Sequence, residues 1–268
     1  MKSLRRLYIA LIVLFLYAPI LVMIFFSFNE SASTSSFTGF SLHWYKELFQ
    51  KDEVGEALKN TLILAVSSSL IAGIIGTAAA VGISRMKKAW RSPVLSVTNI
   101  PMMNPDIVTA VSMLMLFVFV SGLLGVSSRS FITVLIAHVT FNLPYVVLSV
   151  MPKIRQMDKN LPEAAQDLGC TPLQSFFLVE LPAILPGVLS GVLMAFTLSL
   201  DDFIITQFTK GEGFYTLPTY IYSLTKKKVK PDMYALSSLI FIVILVLMVV
   251  SNMAQAKMEQ KRNPQKKK

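Results

Sequence analysis

The chain has 268 residues, of which 54% are hydrophobic and only 15% charged, with a formal net charge of +10 and a mean hydropathy of +0.61. A soluble globular domain carries about 25% charged residues, so this composition excludes one: the chain would be insoluble unless lipid covered much of it. One cysteine, Cys170, excludes an internal disulfide framework and a thiolate metal cage, and no metal site is expected.

About 20 apolar residues at a rise of 1.5 Å each cross the hydrocarbon core of a bilayer, and six stretches approach that length. The first, Leu7 to Phe28, is uncharged and follows the basic start Met1-Lys-Ser-Leu-Arg-Arg6. It is longer than a signal-peptide core, so it reads as a retained helix, although Ser31-Ala-Ser33 just beyond leaves cleavage open. The second, Thr61 to Ser84, carries small residues at Ala72, Gly76 and Ala80, a spacing that lets helix backbones approach closely in lipid. The third, Ile107 to Gly125, is preceded by Asn99-Ile-Pro-Met-Met-Asn-Pro-Asp106, whose prolines and asparagines predict an irregular entry. The fourth, Ser130 to Met151, contains Asn142 and Pro144, expected to break its ladder, and His138 one turn before Asn142 on the same face. For His138 a neutral imidazole bonded between helices is preferred over a proton relay.

The fifth stretch, Ala183 to about Phe208, holds Gly187, Gly191 and Ala195 at the same small-residue spacing and is interrupted by Asp201-Asp202. The seams formed by the small residues fit packing within the chain or against a partner. The sixth is Tyr234 to Ala256. With both termini inside, the inner segments hold 16 of the 25 Lys and Arg, which predicts an N-in, C-in bundle. The dissent comes from Lys226, Lys227, Lys228 and Lys230 in the last outer loop. This bias explains the positive net charge as membrane topology, with the Lys266-Lys-Lys268 tail against anionic headgroups, and gives no reason to expect nucleic acid as a partner. The expectation is a single all-α integral membrane domain over residues 1–268. Its first helix, 7–28, is peripheral, its core helices run over about 61–256, a cytoplasmic loop covers 152–182, and a basic tail covers 257–268.

That loop is the most specified segment outside the spans. Asn160 and Glu163 form a candidate capping box, Pro162 suits a first turn, and Gly169 suits a left-handed helix C-cap. Thr171, Pro172 and Gln174 start a second short helix, expected to end before Pro182. Local physics allows a packing device and a docking element equally.

The spacing of Glu163-Ala-Ala, Gly169 and Val179-x-Leu-Pro182 resembles the EAA signature of ABC importer permeases, which has isoleucine where Val179 stands. The resemblance implies a type I importer permease of the MetI-like kind. It further implies that Glu163 is the charged contact to an ATPase, that Ala164 and Ala165 form a small face for close seating, and that Gly169 is the turn. ATP and Mg would be held by that ATPase, since this chain has no G-x-x-x-x-G-K-[ST] loop and so is not itself an enzyme. Further stretches are similar to permeases of the spermidine/putrescine importer, in particular the second of its two permeases: Tyr17-Ala-Pro19, Phe26-Ser-Phe-Asn29, Pro101 to Asp106, Phe141-Asn-Leu-Pro-Tyr145, Ser199 to Phe203 and Thr216 to Tyr220. That family implies a bacterial inner-membrane complex of a second permease, two ATPase copies and an extracytoplasmic binding protein.

The residues point the same way. Asp106, Asp201 and Asp202 are the carboxylates at membrane depth and no Lys or Arg lies within a span to neutralise them, which suits a path for a small cationic substrate, with Asn142 along it. Span ends in headgroup water are the alternative for all three. The outer loop from about Thr209 to Asp232, with Gly211, Gly213, Lys226, Lys227 and Lys228, is the candidate dock for the binding protein. A cation-coupled secondary transporter would also use intramembrane aspartates but needs no such inner loop. An ABC permease for another solute is a further alternative, and no hydrolase motif is present.

Overall fold

In the computed structural model, residues 2–31, 36–125, 130–158, 160–226 and 231–262 are described. Arg129, Lys227, Lys228, Lys230 and the Lys266-Lys-Lys268 tail lie outside them. The described residues are helical with short connections, and the β-pairing among them is an isolated bridge between Asn29 and Phe40. Five helical stretches are long and apolar enough to cross a membrane: Arg5–Phe26, Asp52–Arg85, Asp106–Leu123, Phe131–Gln156 and Pro172–Asp201. The sixth expected span lies in a 32-residue helix, Pro231–Arg262, whose described apolar part is Asp232–Val246.

The described residues fall into two compact units. The first lies within Met1–Leu58 and Leu217–Leu247. It holds α1 (Lys2–Phe26), α2 (His43–Phe49), the first turns of α3 (Asp52–Arg85), α11 (Leu217–Thr225) and the start of α12 (Pro231–Arg262). Leu48, Ala57, Leu217, Tyr220 and Leu236 form its core. Around it, the Tyr45 hydroxyl lies 2.7 Å from Ser27 Oγ and 2.8 Å from Ser238 Oγ. Buried Asn29 donates to the Ser36 carbonyl and accepts the Thr38 amide, while its own carbonyl accepts the Trp44 indole. By contrast the apolar length of α1 has no buried residue in its spanning window, so lipid or another chain must cover it.

The second unit lies within Lys59–Thr216 and Met248–Lys268. It contains most of α3, then α4 (Lys88–Met103), α5 (Asp106–Leu124), α6 (Phe131–Gln156), α7 (Asn160–Asp167), α8 (Pro172–Ser175), a π-helical turn (Phe176–Glu180), α9 (Leu181–Asp201) and α10 (Ile204–Thr209). Its central feature is the antiparallel pair α6 and α9, in which Val146 meets Gly191 and His138 meets Ser199. A Cβ at Gly187 would stand 2.8 Å from the Ser149 carbonyl oxygen, and one at Gly191 would stand 3.1 Å from Val146 Cα. Only glycine permits these backbones to come so near, so the fifth-span seam is consumed by packing within the chain. Gly76 of α3 likewise lies against Val146, with Ala72 and Ala80 buried in the same cluster.

Three local expectations are corrected. The run from Asn99 to Asp106 is not irregular throughout: α4 continues through Pro101 to Met103. The break is confined to Asn104 and Pro105, where the residue before proline is driven extended, with ψ 145° at Asn104. Asn142 and Pro144 do not break α6, which is continuous from Phe131 to Gln156. Pro144 merely removes one ladder donor, which a buried helix tolerates among neighbours. The short helix after Thr171 does not stop before Pro182 either. It passes through the π turn into α9, because the wider turn, with the Leu181 amide bonded to the Phe176 carbonyl, carries the chain up to a proline that has no amide to give.

Candidate functional site

Two places in the second unit gather the residues that sequence singles out. The first is the knob formed by α7, α8 and the π turn. The Asp158 carboxylate accepts the amide of Asn160 at 3.0 Å, taking the starting role expected of Asn160. At the far end Gly169 has φ 96°. The Cys170 amide reaches the Ala165 carbonyl and the Gly169 amide the Gln166 carbonyl, the paired bonds of a Schellman ending. Thr171 and Gln174 then close a reciprocal capping box at 2.9 and 3.3 Å, with Pro172 in the first turn. Buried Ser175 donates to the Pro162 carbonyl at 3.1 Å, tying α8 back onto α7.

Of the residues expected to couple, Glu163, Ala164 and Gly169 are exposed, whereas Ala165 is buried inside the knob. The outward apolar surface consists of Leu161, Leu168, Leu173, Phe177 and Leu178. At the foot of the knob, Glu180 is nearly sealed and receives Arg85 Nη2 on both carboxylate oxygens, at 2.7 and 2.9 Å. Neither residue was singled out from sequence. A lone acidic residue two positions before Pro182 and a basic residue ending a long apolar helix are the only signals that could have marked them.

The second place is the break at the end of α9. The helix stops at Asp201, Asp202 turns extended with ψ 124°, and α10 begins at Ile204. Asp202 is the reason α10 starts there: its carboxylate accepts the amides of Ile205 and Thr206, at 3.3 and 2.8 Å, and the Thr206 hydroxyl at 2.8 Å. Across from it, the fully buried His138 of α6 places Nε2 2.9 Å from Thr206 Oγ1 and 3.3 Å from Asp202 Oδ2. Its Nδ1 lies 2.6 Å from Ser199 Oγ, which in turn is 3.0 Å from Ser68 Oγ of α3. A proton on Nε2 satisfies every member: Nε2–H donates to Thr206, Thr206 donates to Asp202, and Ser199 donates to Nδ1. Hydroxyl, imidazole and carboxylate in line are also the parts of a nucleophilic triad. Here, however, Ser199 is 2% exposed and Asp202 is committed to a helix start, so the chain of bonds ties helices together and offers no route to a substrate.

The remaining candidates are dispersed. Asp201 is exposed at the end of α9, and Asp106 is exposed in the first turn of α5. Asn142 is fully buried, and both polar atoms of its amide lack a hydrogen-bond partner. Gly213 takes a left-handed turn with φ 78°, while Gly211 is half-buried nearby. In the same segment Lys210 Nζ sits 3.7 Å above the Tyr215 ring. Lys226 lies 5.0 Å above the Tyr222 ring, and Lys227 and Lys228 are outside the described residues. The hydroxyls of Ser68 and Thr206 were missed by sequence reasoning, and Ser199 entered only as the first residue of the stretch Ser199 to Phe203. Their signal was polar side chains within apolar runs, which in lipid seek partners on other helices.

Residues 69–263 match the family model described as binding-protein-dependent transport system inner membrane component. The chain is 37% identical over 250 residues to the putrescine transport system permease protein PotI of Escherichia coli K12, covering 92% of this chain and 89% of that one. It is 36% identical over 254 residues to the spermidine/putrescine transport system permease protein PotC of Haemophilus influenzae, covering 95% and 97%. A chain of a bacterial ABC transporter involved in the import of the acidic polysaccharide alginate superposes with a TM-score of 0.75 at 19% identity, covering 96% and 94%, a likeness of fold alone. The chain belongs to the inner membrane components of binding-protein-dependent transport systems.

Proposed function

We propose that this subunit forms, with a second permease chain, the path by which polyamines enter the cell, driven by an ATPase pair and fed by an extracytoplasmic binding protein. The observation that carries the substrate class is the identity of 36–37%, over nearly the whole chain, to permeases named for putrescine and for spermidine/putrescine. The knob supports the ATPase role: α7 and α8 are shaped by their own short-range bonds and present Glu163 and a set of exposed leucines outward, as a docking element must. On this reading the knob and both termini face the cytoplasm, in keeping with the excess of Lys and Arg in the inner segments. The glycine turn before α11 faces the binding protein.

The two neighbouring aspartates divide the work. Asp202 holds the start of α10 and is shielded by His138, while exposed Asp201 is the carboxylate available to a passing ammonium group. Its hold must be weak, because a site that binds its cation tightly does not release it onward.

The test is uptake of labelled putrescine and spermidine by the reconstituted complex. Unlabelled diamines and triamines should compete, and neutral or anionic solutes of similar size should not. Asp201→Asn, which keeps shape and removes charge, should depress uptake several-fold with the amount of assembled complex unchanged, whereas Asp202→Asn should reduce the amount of folded subunit. Competition by amino acids or sugars in place of polyamines would overturn the substrate class. Parental transport in Asp201→Asn would remove Asp201 from the path.

A further inference from the structure

The family's docking loop has a second attachment in this chain besides the helix that continues from it. Downstream, the knob joins α9 through the π turn Phe176–Glu180, where the ladder is widened to i→i+5 and Pro182 supplies no amide. The knob therefore reaches α9 only through a turn that lacks the regular i→i+4 ladder. The last residue of the same turn, Glu180, is held by Arg85, the last residue of α3. The Glu180 side chain is 10% exposed and that of Arg85 59%. A carboxylate buried to that degree is costly without its counter-charge, so the contact is maintained rather than transient. Arg85 reaches in from a more open position, with one nitrogen shared by both oxygens.

The other end of the connection is equally defined. Along α3, Gly76 lies against Val146, Gly73 against Val192, and Ser68 against Ser199, the hydroxyl that bonds His138 beside the α9 break. One helix therefore runs from the foot of the knob to the polar junction at Asp202.

We propose that Arg85 and Glu180 are a positioning pair that makes α3 move with the knob, delivering the stroke of the ATPase to the Ser68–Ser199–His138 junction in parallel with α9. The proposal rests on the knob being the ATPase dock. It predicts that breaking the pair leaves a complex that assembles and hydrolyses ATP but wastes the hydrolysis.

The experiment measures solute uptake per ATP hydrolysed in proteoliposomes holding the complete importer. The parental complex serves as reference, so failure of the polyamine assignment shows in the parent and failure of this proposal only in the variants. Arg85→Glu and Glu180→Arg should each lower uptake per ATP at least fivefold while basal hydrolysis persists. The double reversal, Arg85→Glu with Glu180→Arg, should return it to within about twofold of the parent. Glu180→Gln, which keeps shape, should give an intermediate loss and serves if the charge reversals do not assemble. A merely structural pair would change only the amount of complex recovered. Unaltered uptake per ATP in Glu180→Gln, or a double reversal no better than the singles, would overturn the proposal.

Discussion

The knob and the polar junction at the α9 break are built by opposite means. Within the knob, bonds connect residues close in sequence: Asp158 to Asn160, Ala165 to Cys170, Thr171 to Gln174, Pro162 to Ser175. Its leucines are exposed, Leu168 by 88% and Leu173 by 72%. At the junction the bonds connect Ser68, His138, Ser199, Asp202 and Thr206 from four helices, and Ser68, His138 and Thr206 are fully buried. Short-range turns let the knob keep its shape with its surface free, as the proposed docking role requires. A piece that must hold helices in place where no water can substitute as a partner depends on side chains contributed from a distance.

The largest effect that would break this comparison is expected at His138. Replacing it with alanine opens a void and removes the acceptor of the Ser199 hydroxyl and the donor to the Thr206 hydroxyl, while Asp202 keeps the amides of Ile205 and Thr206 and the Thr206 hydroxyl. Each orphaned buried polar group costs about 1–3 kcal/mol. His138→Ala should lower the melting temperature of the purified subunit and its yield sharply. His138→Gln, able to donate to Thr206, should recover part of the loss. A His138→Ala subunit that melts with the parent would mean that the junction is decorative and that the α6–α9 glycine seam alone fixes the helices.

A smaller and confined effect is expected at Gly169. Its φ of 96° is left-handed, where a residue with a Cβ is strained by about 1–2 kcal/mol. Gly169→Arg should open the knob to limited proteolysis between α7 and α8 and uncouple hydrolysis from uptake. The melting of the spans should stay unchanged. Loss of the spans along with the knob would show that the knob is not self-contained.

The same contrast explains what could be read from the sequence. Gly169, Thr171, Pro172 and Gln174 were legible because capping rules operate within four or five residues. The interruption at Asp201-Asp202 was legible because two adjacent carboxylates break an apolar run, but the fifth stretch was carried to about Phe208, past the end of α9 at Asp201 and into α10. The continuity of α6 through Pro144 and of α8 into α9 through Pro182 was not, since a proline's local preference yields when neighbouring helices hold the segment. Nor could the bond between His138 and Asp202 be read, 64 positions apart in the chain; both were singled out, but for separate roles. Arg85 and Glu180 were further apart still and looked like ordinary loop charges.

The smallest expected effect belongs to a charged tie in the first unit that is only half hidden, and it sharpens the contrast by showing what the same chemistry is worth when water reaches it. Lys51 Nζ lies 2.8 Å from Asp232 Oδ2 and 3.2 Å from Glu47 Oε1, with its side chain 33% exposed. Burial pulls the Lys51 ammonium down, but the hydrogen bonds and charges of Asp232 and Glu47 outweigh it, and the group ends above its usual 10.5. A lysine raised in the folded state contributes stability that is complete below its unfolded value and disappears as pH climbs through the folded one. Nearby, burial and the hydrogen bond to Glu53 push the Tyr220 hydroxyl up to about 12, so it too loses its folded-state advantage only in strong alkali. Lys51→Gln should therefore cost about 0.5 kcal/mol near neutral pH, the range of a partly solvated pair, a fraction of the His138→Ala loss. Melting curves taken from pH 8 upward should show the gap between parent and variant holding until about pH 10.5 and closing above it. A gap that is as large as that of His138→Ala, or that persists unchanged in strong alkali, would mean that exposure does not separate the two kinds of polar contact in this protein.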